Sequence, residues 1–333
     1  MRLSVVVPVH NEVEVLPLFL GRLTAVLDTI EGDWEVIFVE DSSTDGTWEL
    51  LRDIAAGDAR VRALRLSRSF GHQGALTAGI WASTGDLVVT MDGDLQHPPE
   101  TIPGLLAKAA EGFEVVYAVR SPVDSERRLT VIRAHAFYWT LNCLARLDLP
   151  DGVADFRCMS RPVVNALASM PERSRFLRGM TRWVGFRQTV VEYDRAPRAG
   201  GQSTYTLGPM LRLALDGVIS FSTVPLRIAS VLGFFVSLIG VGYGTLTVIQ
   251  RLAGDAVVPG YASLLVAVLI LGGVQLACIG IIGQYLGRVY EESKGRPLFL
   301  VWEDTRQPVI EQPAFLERDT VRVASDAPPG EVR

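Results

Sequence analysis

Two long uncharged stretches constrain this chain more than anything else in it. Ile228 to Ile249 gives 22 residues without Asp, Glu, Lys or Arg, and Tyr261 to Leu286 gives 26. A bilayer core of about 30 Å takes roughly 20 residues of helix to cross. Each run meets that length, and the short polar connection between them holds only Arg251 and Asp255 as charges. The pattern predicts a transmembrane hairpin, with spans over 228–250 and 261–287. The competing reading is a pair of helices buried in a soluble core. Arg212 and Arg227 precede the hairpin, and Arg288, Lys294 and Arg296 follow it. Cationic flanks stay on the cytoplasmic side. Both termini and the domain before the hairpin are therefore expected in the cytoplasm, on a cytoplasmic membrane crossed twice.

Composition narrows the classes further. The net charge of −5 gives no global basic field, which argues against nucleic acid as a partner. Lysine occurs only at Lys108 and Lys294, so the positive charge is nearly all arginine, whose planar fork suits phosphate. The three cysteines, Cys143, Cys158 and Cys278, form no Cys-x-x-Cys pair. That speaks against a disulfide framework and a thiolate metal site, and fits a reducing cytosol. The apolar run Leu3 to Val9 is too short for a spanning helix. There is no GxxxxGK[ST] phosphate loop, and Gly71-His-Gln-Gly74 is not GxGxxG, which disfavours a dinucleotide-binding oxidoreductase. Glycine there either lets a helix start close to a phosphate or simply makes a turn.

Residues 1–205 alternate short apolar runs with helical spacings. Strands are expected over Leu3 to Pro8, Trp34 to Val39, Val61 to Leu66, Leu87 to Met91 and Glu114 to Val119. Helices are expected over Val13 to Leu27, Thr47 to Ala56 and Gly74 to Ser83. The alternation implies an α/β domain with a mostly parallel sheet covered on both faces. Ligands of such sheets sit beyond the carboxyl ends of the strands. Beyond residue 205, Leu207 to Phe221 is apolar on one helical face and carries Arg212 and Asp216. A juxtamembrane amphipathic helix is expected over 206–227, a core helix being the alternative. An extension over 288–303 and a flexible tail over 304–333 follow, the latter rich in Pro, Asp, Glu and Arg.

Polar clusters follow the expected strands: Pro8-Val-His-Asn-Glu12, Glu40-Asp-Ser-Ser-Thr-Asp-Gly-Thr47 and Asp92-Gly-Asp-Leu-Gln-His97. Any one of them reads equally well as a turn; their recurrence on one sheet edge is what points to a site. In the third, Asp92 and Asp94 leave a strand at i and i+2. Mg²⁺ or Mn²⁺ takes one or two such carboxylates together with diphosphate oxygens, and Gln96 and His97 stand where they could add ligands.

These segments, with Ser69-Phe-Gly-His-Gln-Gly-Ala75, resemble glycosyltransferase family 2. Within it they resemble the polyprenyl-phosphate glycosyltransferases, the class of bactoprenol glucosyltransferases and dolichyl-phosphate mannose synthases. Asp155-Phe-Arg157 and Leu215-Asp-Gly-Val-Ile-Ser-Phe-Ser-Thr-Val-Pro-Leu-Arg227 are similar to that subfamily too, as is the two-helix hairpin. The chain departs from the usual pattern at Glu40, where the family has Asp, at Phe70, where it has Asn, and at Thr204, where it has Lys. The resemblance implies a GT-A fold, a nucleotide-diphosphate sugar, a divalent metal (Mg²⁺ or Mn²⁺), a polyprenyl phosphate acceptor and a homotetramer. Pro8, His10, Glu12, Asp41, Gly71 and Asp92 would face the nucleotide sugar, and Asp92, Asp94 and Gln96 the metal.

An acceptor phosphate is already anionic, so it needs alignment more than a general base. Arg120, which follows a strand, and Arg128 and Arg133 soon after are the expected phosphate contacts. Asp155 is the expected carboxylate near the acceptor, either orienting the phosphate or acting as base, and Asp94 the second catalytic carboxylate. The expected reaction inverts the anomeric centre, with UDP-glucose as lead donor and undecaprenyl phosphate as acceptor. GDP-mannose-dependent mannosyl transfer is the alternative, and a non-catalytic membrane scaffold is the rival from another class. A processive synthase is disfavoured because its Gln-x-x-Arg-Trp motif has Gly179 in the glutamine position before Arg182-Trp183.

Overall fold

The computed structural model describes residues 1–120, 153–173, 175–193, 222–252 and 260–306. Strand β1 (Arg2–Val9) is valine-rich and buried at all but its first position, and β2 (Asp33–Glu40) repeats the pattern. Near-continuous burial marks strands covered on both faces. Helix α1 (Leu16–Leu27) connects them, with Leu16, Phe19, Leu23 and Leu27 buried at the three- and four-residue spacing of an amphipathic helix. It starts later than Val13 because Pro17 sits in its first turn, the one helical place proline tolerates well. Helix α2 (Thr47–Gly57) leads to β3 (Val61–Leu66), and α3 (His72–Ala82) to β4 (Leu87–Thr90). Helix α4 (Ile102–Ala110), absent from the expected pattern, leads to β5 (Val115–Arg120). Then come β6 (Val153–Ser160), α5 (Arg161–Ala168), α6 (Leu177–Trp183) and β7 (Gln188–Tyr193).

The strands form one sheet in the order β7-β5-β6-β4-β1-β2-β3-β8, where β8 is Val301–Asp304. β6 is antiparallel to β4 and β5, and β8 is antiparallel to β3; the other pairs are parallel. This is the expected mostly parallel α/β sheet of GT-A type. The reversal of β6 matters for the site. Its register pairs Arg157 with Thr90 on one side and Val153 with Val119 on the other. The start of β6, including Asp155, therefore lies at the carboxyl ends of β4 and β5.

Helix α3 lies tightly against the sheet. A Cβ at Gly79 would come within 2.2 Å of Val6 Cγ1 and 3.0 Å of Val39 Cγ2, so only glycine permits this approach. The close seat fixes the helix's N-terminal end, at His72, above the strand ends.

Helices α7 (Val224–Leu252) and α8 (Tyr261–Ser293) are antiparallel: Tyr285 Oη donates to Ser222 O at 2.6 Å, and Cys278 Sγ lies 3.7 Å from Ala229 O. At 29 and 33 residues they are roughly 43 and 50 Å long, and both are long and apolar enough to cross a membrane. The core-helix reading fails on exposure: Phe234 is 65% exposed and Ile239 70%. Buried core helices do not present such side chains to solvent.

Strand β8 lies beyond the hairpin in sequence and pairs with β3 in the same sheet. Arg62 and Asp304 form an ion pair at 2.6 Å, Ala63 N donates to Thr305 Oγ1, and Arg306 Nη1 donates to buried Glu35 at 2.7 Å. Residues 304–306, expected to begin the tail, thus belong to the sheet edge. Arg128, Arg133, Thr204, the juxtamembrane segment 206–221 and the tail from 307 onward lie outside the described residues.

Candidate active site

The carboxyl edge of the sheet collects the three polar loops anticipated above. It also holds all the non-glycine residues with left-handed backbone among the described ones: Asn11 (φ 56°), Ser42 (φ 60°) and Leu95 (φ 62°). Each costs roughly 1–2 kcal/mol, and such strain concentrates where loop geometry serves a ligand. Leu95 is also 4% exposed; burying it locks the turn that separates Asp94 from Gln96.

Asp94 Oδ1 accepts from Gln96 N at 3.0 Å, and its Oδ2 from Gln96 Nε2 at 2.6 Å. Gln96 thus braces Asp94. Asp92 N donates to His97 Nδ1 at 3.0 Å. His97 is 5% exposed and stacks on Phe156 at 5.2 Å. Burial pushes its imidazole down, against the charges of Asp92 and Asp94, so it serves as a neutral acceptor beneath the turn. Asp92 Oδ1 is buried and has no hydrogen-bond partner among the described residues.

An anionic oxygen left in that condition is costly, and a cation would satisfy it. No three His, Cys, Asp or Glu side chains among the described residues converge into a metal cage. A Mg²⁺ or Mn²⁺ carried by a diphosphate needs only one or two protein carboxylates. The Asp92 and Asp94 pair fits that requirement.

The loop after β2 is organised by Asp41, which is 6% exposed. Its carboxylate accepts from Ser69 Oγ at 2.8 Å, Phe70 N at 2.7 Å and Gly71 N at 2.9 Å. Its carbonyl bonds His10 Nδ1 at 2.8 Å, joining the first two loops. Gly71 has φ +78° and precedes α3, a turn that glycine enters without strain. Pro8 is buried in β1, opposite Val39. The backbone N–H of Glu12 donates to Thr47 Oγ1 at 3.1 Å. Arg120 closes β5 opposite Tyr193 and is half-buried.

Asp155, 2% exposed, is the most heavily engaged acid. Arg157 Nη2 donates to its Oδ1, as does Arg178 Nε at 3.2 Å. Its Oδ2 takes Arg178 Nη2 at 2.9 Å and lies 3.3 Å from both His72 Nε2 and Gln73 Nε2. Burial alone would raise this carboxyl, but Arg178, His72 and Arg157 outweigh it and hold it well below the usual carboxylate range. So acidic a group is a poor base. His72 links the two acidic centres, its Nε2 lying 3.6 Å from Asp92 Oδ1. Burial lowers the imidazole of His72, yet Asp155 and Asp92 leave it raised overall. Cys158 beside them is inert, its thiol pushed up to about 12 by burial.

Sequence reasoning missed Arg178, His72 and Gln73. His72 and Gln73 stood inside a quoted segment, and their place at the start of a helix was their only signal. Arg178 is 23 residues from Asp155 and had none.

The family description "Glycosyl transferase family 2" matches residues 4–167, and "GtrB C-terminal hairpin" matches residues 224–289. An uncharacterized glycosyltransferase of Synechocystis sp. is 42% identical over 301 residues, covering 90% of this chain and 95% of its own. The chain belongs to glycosyltransferase family 2. Other relatives include a bactoprenol glucosyl transferase of Shigella phage SfV, 41% identical over 301 residues and covering 90% of this chain and 98% of its own. Another, from Shigella flexneri, is 40% identical over 306 residues, covering 92% and 99%. Among solved structures, glucosyl-3-phosphoglycerate synthase from Mycobacterium tuberculosis, in complex with Mn²⁺, UDP-glucose and phosphoglyceric acid, aligns with a TM-score of 0.47 at 23% identity. It covers 66% of this chain and 79% of its own. This family 2 glycosyltransferase thus joins a GT-A-type domain to a two-helix hairpin.

Proposed function

We propose that this glycosyltransferase moves a hexose from a nucleoside diphosphate sugar, with UDP-glucose as the lead donor, to undecaprenyl phosphate or a related polyprenyl phosphate at the cytoplasmic face of a membrane. The observation that carries the reading is the buried Asp92 Oδ1, which has no hydrogen-bond partner among the described residues, beside the braced Asp94, in a chain that carries a membrane-length hairpin. The names of the relatives at about 40% identity, bactoprenol glucosyl transferases, support the lipid acceptor and glucose.

Asp92 and Asp94 would hold Mg²⁺ or Mn²⁺, which neutralises charge on the departing diphosphate. Asp41 shapes the Ser69–Gly71 turn that, with Pro8, His10 and Glu12, would receive the nucleoside. Arg120, Arg128 and Arg133 would hold the acceptor phosphate in line with the anomeric carbon. A phosphate oxygen forms the new bond to that carbon as the carbon–oxygen bond to the nucleoside diphosphate breaks. The bonding pair leaves with the diphosphate and the anomeric centre inverts. The nucleophile is already an anion, so no side chain has to remove a proton, which agrees with the tightly paired Asp155. Asp155 orients the arginines around it.

Membranes containing the chain, given Mn²⁺, polyprenyl phosphate and a panel of radiolabelled nucleotide sugars, should move label from one donor into the lipid phase. Asp94→Ala should abolish that transfer; full activity in this variant would remove the metal-site reading. Label from GDP-mannose and not UDP-glucose would move the enzyme to the mannosyl branch.

A further inference from the structure

We propose that β8, the strand beyond the membrane hairpin, positions the loop that receives the donor, with Arg65 and Glu40 as the positioning residues. This deepens the function proposed above and rests on it. Glu40 ends β2 and is fully buried. Its Oε1 accepts from Ser43 N, which ties down a turn that contains left-handed Ser42. Ser43 Oγ accepts from Asn11 N at 3.0 Å, and Asn11 Oδ1 from Thr44 N at 2.8 Å. One carboxylate thus lies at the root of two joined loops, those of His10 and Asp41, that would receive the nucleoside.

The other oxygen, Oε2, is buried and has no hydrogen-bond partner among the described residues. The charge facing it is Arg65 Nε, 3.4 Å away. A carboxylate this deep depends on such a counter-charge. Arg65 is itself held from β8. Its Nη1 donates at 3.2 Å to Oε1 of Glu303, its cross-strand neighbour. Its guanidinium lies 5.5 Å from the Trp302 ring and 5.6 Å from the Trp48 ring, within cation–π range. The Glu303 side chain is 41% exposed, so water solvates it, whereas that of Glu40 is 0% exposed. Arg65 therefore supplies charge to Glu40 and takes direction from β8. Residues 294–300 separate β8 from α8, so the chain that leaves the membrane is what aims this guanidinium. Without it the Glu40 carboxylate has to turn toward water, which frees Ser43 N and loosens the loop.

The test uses the full-length chain with Arg65→Met, and a second variant that joins Trp302→Ala to Glu303→Gln. Initial rates are measured against UDP-glucose and undecaprenyl phosphate separately. Arg65→Met should raise the KM for UDP-glucose about five- to fiftyfold, the usual weight of a buried acceptor left unanswered, with the lipid KM and kcat little changed. Among the described residues neither β8 side chain bonds the loop itself. The β8 variant should still raise the same KM about two- to fivefold, the weight of cation–π contacts near the surface. An unchanged donor KM in either variant, or an equal rise in both KM values, overturns the proposal. Trp302 is 56% exposed, so the β8 variant decides the matter if Arg65→Met does not fold. Hydrogen exchange separates this inference from the function it rests on. In both variants the peptide spanning Asp41 to Thr47 should exchange faster, by about fivefold or more in Arg65→Met, with β1 unchanged. Acceleration spread evenly over the sheet assigns Arg65 to general stability and defeats the inference. A parent chain that moves no glucose defeats the function alone, and exchange then settles the role of β8.

Discussion

Asp155→Asn separates what the buried charge cluster does for stability from what it does for transfer. The substitution keeps the side chain's shape and removes its charge. Arg157, 1% exposed, then stays inside the protein as a guanidinium with no counter-ion. Breaking a buried pair from one side costs about 3–5 kcal/mol. For a domain of this size each kcal/mol lowers the melting temperature by roughly 2–4 °C, so a fall on the order of 10 °C is expected. Arg178 contributes little to this loss, because its side chain is 28% exposed and water can take over its solvation. Adding Arg157→Met removes the stranded charge, and replacing both members of a buried pair is often neutral. The double variant should therefore recover most of the lost stability while still failing to transfer sugar. Melting of the detergent-solubilised chain at one scan rate, beside the transfer assay, gives both readouts. A shift under about 2 °C for Asp155→Asn, or a double variant no more stable than the single, would refute the reasoning.

Other outcomes follow from the packing and the topology. Glu35 is 1% exposed; burial pushes it up, but bonds from Ser4, Thr84 and Arg306 outweigh burial and lower it from 4.5 to about 2. A folded value below the unfolded one gives stability that is complete above about pH 4.5 and fades toward pH 2, worth about 3 kcal/mol in full. The stability gap between the parent and Glu35→Gln should therefore narrow across that window, and a constant gap would contradict the assignment. Gly79→Ala puts a Cβ 2.2 Å from Val6 Cγ1 and should cost about 1–3 kcal/mol. Gly79→Ala with Val6→Ala should recover part of it; an unchanged melting point in the single variant would show that α3 shifts freely. In a chain cleared of Cys143, Cys158 and Cys278, a cysteine at Gly254 should react with impermeant maleimide only from outside the cell, and one at Asp53 only from the cytoplasm. Labelling of both from one side would remove the predicted topology.

The parts of the fold that could be read ahead share a physical property: their apolar pattern is local. β1 and β2 are apolar runs ended by polar residues, and the structure buries each at all but its first position. β6 was hidden because Asp155 and Arg157 stand in its middle. Their charges answer each other and those of α6, which no local hydropathy can register. β8 carries Trp302, Glu303 and Asp304 and reads as a polar extension. Its partners, Arg62 and Arg65, lie more than 230 residues away. The acidic turn at Asp92 and Asp94 was legible because a pair of carboxylates leaving an apolar strand is unusual. The bracing of Asp94 by Gln96 and of the Asp92 backbone by His97 depends on how the turn closes, which left-handed Leu95 decides.

The direction of β6 divides the site into two mechanical parts. Parallel strands deliver only their carboxyl ends to the ligand edge, so His10, Asp41, Asp92 and Asp94 all sit on loops or at loop starts. Antiparallel β6 begins at that edge, and Asp155 is already within a strand, its carbonyl held by Thr90 Oγ1 at 2.6 Å. The loop carboxylates are held by bonds within their own turns, whereas the Asp155 cluster is fixed by the same bonds that hold the sheet together. Substitutions on the loops should then alter affinity with little loss of stability. Single substitutions of Asp155 or Arg157 should lower stability and transfer together.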